Sequence, residues 1–213
     1  LTFAEEHGYV IVLPKHQNYY PDLSFIKKDN HTVKFAVDFK TTYRVPNYPD
    51  FCNGFTLGSH GAYFVQRDSS KNIQFPYKDY MGHFCLGIIY SRNPDIDEFQ
   101  THDISNLHAI TSVIHNFAFF IAEKWKIASD KRGSGNTANI GSINKIPDIV
   151  HGQGMFSKLG EKWFDDYWMN YGKITITTSE GKTKKITNLV DFVQYRDGDV
   201  NLIVTKAKKR RTT

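Results

Sequence analysis

The stretch that decides the fold is YYPDLSFIKKDNHTVKFAVDFKTTY, residues 19–43. It contains two runs typical of β-strands, LSFI and TVKFAVDFK, joined by KKDNH, a segment rich in turn-forming residues. This pattern predicts a β-hairpin. If its turn is centred near Asn30, Asp22 lies across from Asp38, and two carboxylates that are 16 residues apart in sequence come close in space.

The second strand of the hairpin has two chemically different faces. Its odd-numbered residues from 33 to 39 are apolar and share one face, because side chains alternate along a strand. Asp38 and Lys40 share the other face, one pleat apart. Pro21 stands where the first strand begins, a position at which its missing N–H costs no ladder hydrogen bond. The pattern therefore places two carboxylates and one ammonium at one edge of a sheet.

These groups are suited to metal-assisted hydrolysis of a phosphodiester. The carboxylates of Asp22 and Asp38 offer hard oxygen ligands for Mg²⁺, and the carbonyl of Phe39 is a candidate third ligand. A bound metal lowers the pKa of a water and polarises the phosphate. Lys40 can neutralise the developing charge, or orient or deprotonate the attacking water. The structural alternative is a solvated Asp–Lys pair on a strand edge, since PD followed by D-x-K is a loose pattern.

Composition indicates one globular domain over residues 1–213 and an anionic partner. The chain is 40% hydrophobic and 15% aromatic, and its net charge is +5 with a pI near 9.0. Residues 206–213, KAKKRRTT, form a basic tail that either solvates the terminus or contacts a polyanion. No apolar run is long enough to predict a membrane span. Cys52 and Cys85 lack zinc-site spacing, which predicts reduced thiols in a cytoplasmic protein.

The rest of the chain mixes strands and helices. We expect a helix end at residues 3–8, strands in YVIVLP, MGHFCLGIIYS and FFIAEKWKIA, and a helix in SKLGEKWFDDYWMNY. Residues 44–62 and DKRGSGNTANIGS are expected to be loops, the second lacking the lysine and spacing of a P-loop. Residues 104–116 are ambiguous, and a helix is one option. The fold class is therefore α/β (α+β), with a central mixed β-sheet flanked by helices.

Several blocks of the sequence resemble one enzyme family. They are HGYVIVLPKHQNYYPDLSF, AVDFKTTY, RDSSKNIQFPYKDY, EKWKIASDKRGSGNTANIGSI and FDDYWMNY, which span most of residues 5–171. In order and spacing they resemble the EcoRV-type type II restriction endonucleases of the PD-(D/E)XK nuclease superfamily. The combination of GSGNT-x-NIGS with PD and D-x-KTTY is far more specific than either motif alone.

The resemblance implies a bacterial, cytoplasmic homodimer that uses Mg²⁺, which Mn²⁺ can replace, to cut double-stranded DNA at a short palindrome. A cognate DNA methyltransferase would act in the same restriction-modification system. Asp22, Asp38 and Lys40 match the catalytic residues of the family, within a catalytic hairpin at 19–43. Within a recognition loop at 131–142, the residues that match readers of base edges in the major groove are Gly133, Ser134, Gly135, Asn136 and Thr137.

Other positions match DNA contacts elsewhere. His16, Gln17, Asn18 and Tyr19 match a companion loop at the minor groove and backbone. Thr42, Lys71 and Asn139 match positions that hold DNA or the active conformation. The residue chemistry agrees with these assignments. Glycines let the backbone approach bases closely, and an asparagine side chain can form two hydrogen bonds with one adenine.

The sequence also departs from the family. It lacks an N-terminal segment that carries a helix, dimer contacts and another acidic residue, so we expect that segment to be missing. Gly61 and Ala62 stand near positions where the family uses hydroxyl groups on phosphates. After Tyr171 the match is poor. Two alternatives therefore stay open: a structure-specific repair or recombination nuclease, and a DNA-binding protein without catalysis.

Overall fold

A mixed β-sheet forms the centre of the protein. The computed structural model describes residues 2–94, 101–133, 138–177 and 180–204. The sheet has the strand order β1-β2-β3-β6-β7, and β4 pairs with the far end of β3. The β3–β6 pair is parallel, and the other pairs of this sheet are antiparallel. The predicted mixed sheet with flanking helices is confirmed.

Short helices and two smaller sheets surround the central sheet. A three-stranded sheet has the order β5-β9-β8, and β10 pairs with β11 in a hairpin. The strands are β1 (Tyr9–Val12), β2 (Leu23–Lys27), β3 (Lys34–Val45), β4 (Tyr48–Cys52), β5 (Thr56–Ser59), β6 (Gly82–Arg92), β7 (Ile114–Glu123), β8 (Ala128–Arg132), β9 (Asn139–Ser142), β10 (Thr175–Thr177) and β11 (Thr183–Lys185). The α-helices are α1 (Thr2–Glu6), α2 (Lys124–Ile127), α3 (Ile146–Val150), α4 (Glu161–Asn170) and α5 (Leu189–Tyr195).

The hairpin of β2 and β3 has the predicted register. Leu23 pairs with Val37, and continuing this antiparallel register places Asp22 across from Asp38. The turn is closed by Asn30, whose side-chain oxygen accepts hydrogen bonds from the amide and the hydroxyl of Thr32. The turn residues thus favour this register. A shift by one residue would move every side chain of the strand to the opposite face of the sheet.

The long strand β3 continues into the middle of the sheet. Two rows of neighbours cross from β3 to β7: Asp38 with Cys85 and Ala122, and Lys40 with Gly87 and Phe120. Cys85 and Cys52 are both buried, and neither forms a disulfide. Burial raises the pKa of Cys85 to about 12. The carboxylate of Asp38 therefore borders the protein core on one side.

The predicted helix α4 packs by its aromatic residues. Phe164, Tyr167 and Trp168 are buried, as expected from their helical spacing. The hydroxyl of Tyr167 donates a hydrogen bond to the carbonyl of Asp130, with an oxygen–oxygen distance of 2.6 Å. This contact fixes α4 against β8, the strand that leads into the expected recognition loop.

Two expected loops contain strands. Residues 44–62 hold the end of β3, all of β4 and all of β5, although the two prolines and three glycines favour a loop. The segment DKRGSGNTANIGS begins in β8 and ends in β9, which pair with each other. The smaller sheet supplies the missing pairing partners for these short segments, and tertiary context overrides local preference there.

One other expectation was wrong in detail, and one that the sequence left open is decided by the structure. FFIAEKWKIA is not one strand, because β7 ends at Glu123 and residues 124–127 form the helical turn α2 before β8 begins. Residues 104–116 are not one helix either. A 3₁₀ helix spans Ile104–Ala109, and β7 starts at Ile114, where its residues pair with β6.

The face of the sheet opposite Asp38 is apolar and partly open. It contains a shallow groove of about 640 Å³ lined by aromatic and aliphatic side chains. Phe39, which follows Asp38, points to this face and is 47% exposed. Within the described ranges, no helix is long and apolar enough to span a membrane.

Candidate active site

Asp22 is held beside β3 by the main chain. Its Oδ2 accepts a hydrogen bond from the amide of Phe39 at 2.5 Å. The preceding segment is anchored independently, because Tyr20 forms a bridge with Ile73 of a neighbouring loop. The position of this carboxylate therefore depends on two backbone connections, one to β3 and one to the loop that contains Ile73.

Asp38 and Lys40 form an ion pair at the end of the β2–β3 ladder. Their Nζ and Oδ2 atoms are 2.6 Å apart, and the Asp38 side chain is 13% exposed. Burial raises the pKa of Asp38, and the nearby positive charge of Lys40 opposes this shift in part. The carboxylate of Asp22 adds to the increase. A cation between these two carboxylates would relieve both burial and mutual repulsion.

The oxygen atoms at this edge fit a hard divalent cation. The N–H and C=O of one residue in an extended strand point to the same edge, so the carbonyl of Phe39 faces the side on which its amide meets Asp22. Two carboxylates and one carbonyl suit Mg²⁺, which keeps several of its own waters. In the described part of the chain, no group of three or more His, Cys, Asp and Glu side chains forms a metal centre. The candidate site therefore depends on this mixed donor set.

A polar cleft leads from Lys40 to the expected recognition loop. Its volume is about 340 Å³, and both Lys40 and Gly133 line it. Arg132, at the end of β8, lines the same cleft with its side chain exposed. Lys40 of the hairpin and Gly133 are far apart in sequence, yet the fold brings both to the lining of one cleft.

Comparison with known proteins shows the family to which the chain belongs. The sequence pattern of the family described as "Restriction endonuclease EcoRV" matches residues 1–197. The type II restriction enzyme EcoRV of Escherichia coli is 37% identical to the chain over 191 residues, which cover 89% of the chain and 74% of that relative. The chain belongs to the EcoRV restriction endonuclease family. This membership does not favour the repair-nuclease and non-catalytic alternatives.

The structure describes only part of the expected recognition loop at 131–142. Gly133 closes the segment by donating its amide to the carbonyl of Asn139, at 2.9 Å. Asn139 begins β9 and pairs with Ser59 of β5. Four of the five residues that the sequence assigns to base reading lie outside the described residues: Ser134, Gly135, Asn136 and Thr137. The structure thus describes the base of the loop.

The other residues matched to EcoRV-family DNA contacts lie in different environments. His16, Gln17 and Asn18 are exposed in the turn between β1 and β2, where the rings of His16 and Tyr19 are in contact. Lys71 is exposed two residues before Ile73. Thr42 is buried in β3, which favours a role in holding the active conformation over direct contact with DNA.

A layer of aromatic side chains lies behind the EcoRV-type carboxylates. Tyr20 stacks with Tyr63, and its hydroxyl is 2.9 Å from Nδ1 of His83. His83 also stacks on Tyr77 at a centroid distance of 3.7 Å. Burial lowers the pKa of His83 well below its usual value. His83 is therefore a neutral core residue.

One residue beside the candidate active site was missed by sequence reasoning. Lys124 is 4% exposed, and burial lowers its pKa to about 8. Its positive charge is close enough to oppose the increase in the pKa of Asp38. The available signal was a lysine within FFIAEKWKIA, an otherwise apolar segment. That signal is weak, because a lysine after an apolar run ordinarily marks the point at which the chain reaches the surface.

Proposed function

We propose that the protein is a type II restriction endonuclease that hydrolyses double-stranded DNA at a short palindrome and leaves 5'-phosphate ends. The observation that carries this proposal is the cluster of Asp22, Asp38 and Lys40, in which Lys40 also lines a cleft shared with Arg132 and Gly133. Membership of the EcoRV family supports it. One surface thereby provides both reactive groups and a segment suited to reading bases.

The chemistry follows from the charges at the sheet edge. Asp22, Asp38 and the carbonyl of Phe39 would hold Mg²⁺ or Mn²⁺, which supplies an activated water and positive charge beside the scissile phosphate. Lys40 is the cationic side chain of the pair, with its ammonium directed at Asp38. When the carboxylate turns to a cation, that ammonium becomes available to a phosphate oxygen and stabilises the charge that develops there.

DNA binding is proposed for two loops and the basic groups around the cleft. Gly133 and Ser134 to Thr137 would approach base edges in the major groove, with Asn136 as the bidentate partner of an adenine. His16 to Tyr19 would contact the minor groove and backbone. Lys71 and Asn139 would hold phosphates or the loop that reads the bases. The exposure of His16, Gln17 and Asn18 supports this assignment.

The assembly and setting are also proposals. A palindromic target suits a homodimer, because two-fold symmetry in the protein then mirrors that of the site. A DNA methyltransferase of the same specificity would protect the host genome. The bacterial relative, and two buried cysteines that form no disulfide, support a bacterial cytoplasmic location. A hydrophobic core that runs from Tyr20 to Ile203 supports one endonuclease domain.

Sequencing of cleaved ends tests the proposed function. The purified protein is incubated with phage or plasmid DNA in Mg²⁺, with EDTA and with the variant Asp38→Asn as controls. We expect discrete fragments in Mg²⁺ whose ends share one palindrome, and intact DNA in both controls. A smear, or cuts confined to nicked or branched DNA, would contradict site-specific cleavage. Binding that is indifferent to metal and never followed by cleavage would contradict catalysis.

A further inference from the structure

Lys124 carries an amino group that is buried without a partner. The residue is 4% exposed, and its Nζ has no hydrogen-bond partner among the residues that the structure describes. Burying an unpaired ammonium costs several kcal/mol unless other groups compensate. Natural proteins retain such a group where its charge has a use.

Aromatic rings provide part of the compensation. Nζ lies 5.3 Å from the ring centroid of Tyr20, 5.3 Å from that of Phe64 and 5.5 Å from that of Tyr77. Ring faces attract a cation, although less strongly than a carboxylate at contact distance. Tyr20 also lies two residues before Asp22, so the amino group and the candidate active site share one wall. The three rings attract the ammonium but do not neutralise its charge.

The sheet register places this charge behind Asp38. Cys85 pairs with Asp38 on one side and with Ala122 on the other, and Lys124 follows Ala122 by two residues. Because neighbouring strands are about 4.8 Å apart, the backbones of Asp38 and Ala122 are separated by about two strand spacings, and the charge of Lys124, two residues further on, acts on the Asp38 carboxylate. The interaction crosses the protein interior, where solvent screens charge less than at the surface.

The smaller sheet closes the space above the amino group. A Cβ on Gly58 of β5 would lie 3.6 Å from Nζ and 3.4 Å from the hydroxyl of Tyr63. A side-chain carbon at position 58 would therefore be in van der Waals contact with the amino group, which places Lys124 Nζ directly beneath β5.

We propose that Lys124 is a positioning residue whose buried charge stabilises the carboxylate of Asp38 and weakens the hold of the site on a divalent cation in the absence of DNA. The proposal rests on the proposed function, because it takes Asp38 as a metal ligand. A positive charge attracts the carboxylate and repels the cation that the carboxylate binds. Bound DNA brings phosphate charge that offsets this repulsion, so cation and DNA favour each other's binding.

Calorimetric titration of Ca²⁺ into the DNA-free protein at pH 7.0 tests the proposal. The variant Lys124→Met keeps the length of the side chain and removes its charge. The control Lys126→Met removes a lysine of the same short helix, whose ammonium is ion-paired with Glu123 and is partly exposed. We expect Lys124→Met to bind Ca²⁺ at least about threefold more tightly than wild type, and Lys126→Met to bind like wild type.

Each result has a defined meaning. Equal affinities in wild type and Lys124→Met, weaker binding by the variant, or no binding by either would overturn the proposal. If Lys124→Met does not fold, Lys124→Gln provides the same comparison with a neutral polar side chain. The readout does not depend on cleavage. A wild-type protein that binds Ca²⁺ but cuts no DNA would therefore contradict the proposed function, and the comparison of affinities would still decide the role of Lys124.

Discussion

At the scale of single residues, the candidate active site concentrates charge where the protein stabilises it poorly. Asp38 is nearly buried, and its pKa is raised by burial even though Lys40 is in contact with it. The charged form of Asp38 is therefore less favourable in the folded protein than in the unfolded chain. Such an arrangement is useful for catalysis because a poorly stabilised carboxylate favours binding of a cation. The same arrangement lowers the stability of the folded protein while no cation is bound.

The variant Asp38→Asn tests this conflict between stability and function. A raised carboxyl pKa means that the folded protein loses stability as pH rises from the unfolded pKa to the folded one, so the cost is present at pH 7. Asparagine avoids this cost. We expect a higher melting temperature than wild type at pH 7, a difference that disappears below the usual carboxyl pKa, and a cleavage rate reduced by about a hundredfold or more.

Melting curves from pH 3 to 8, without metal, measure the stability difference, and single-turnover cleavage in Mg²⁺ measures the rate. Asp29→Asn is a suitable control, because Asp29 is exposed in the hairpin turn, away from the ion pair of Asp38 and Lys40. A variant at position 38 that is less stable than wild type at pH 7 would show that the ion pair outweighs burial.

At the scale of elements, the site depends on close packing between β6 and β7. Gly87 lies between Lys40 and Phe120 in one row of the sheet. A Cβ on Gly87 would lie 2.1 Å from the ring of Phe120, so the ring occupies the space that a side chain would take. The position in β6 beside Lys40 therefore accepts only glycine, because the ring of Phe120 fills the space of a side chain.

We expect Gly87→Ala to destabilise the protein by about 1–3 kcal/mol, because the added methyl group forces Phe120 to move within a packed core. Urea unfolding monitored by circular dichroism measures the change in the free energy of unfolding. Gly61→Ala is the matched control, since a Cβ there meets only the hydroxyl oxygen of Ser59, at 3.5 Å. Equal stability of the two variants would show that Phe120 can relax without cost.

At the scale of the whole molecule, charge favours binding to a polyanion. The net charge is +5, and Lys40 and Arg132 line the cleft between the hairpin and the 133–139 loop. Phosphate contacts release counterions, so affinity for DNA decreases steeply as salt concentration increases. Electrostatics of this kind positions the duplex, and the loops then distinguish its sequence.

We expect the affinity of Asp38→Asn for duplex DNA to decrease by at least about 10³-fold between 50 and 200 mM salt, which corresponds to six or more phosphate contacts. Fluorescence anisotropy with a labelled duplex in EDTA measures it without cleavage. The variant Arg132→Ala in the same background should show a slope smaller by about one contact. A salt dependence of tenfold or less would contradict an extended phosphate interface.

Local signals determined much of the β2–β3 hairpin. Alternation in TVKFAVDFK and the turn residues near Asn30 were enough to predict the register that places Asp22 opposite Asp38, because a hairpin depends on neighbours in sequence. The helical spacing of aromatic residues was likewise enough to predict helix α4. The motifs that relate the chain to the EcoRV family were present in the sequence as well.

Tertiary structure decided the features that depend on distant partners. The strands β4 and β5 form in a segment rich in proline and glycine because other strands pair with them. The cleft lined by Lys40 and Gly133 also depends on residues that are distant in sequence. So does the burial of Lys124 among the rings of Tyr20, Phe64 and Tyr77. The sequence by itself determined which reactive groups the protein has and which face of a strand they share. Only the folded chain determined their burial, and therefore their charge, because desolvation depends on every element packed around a group.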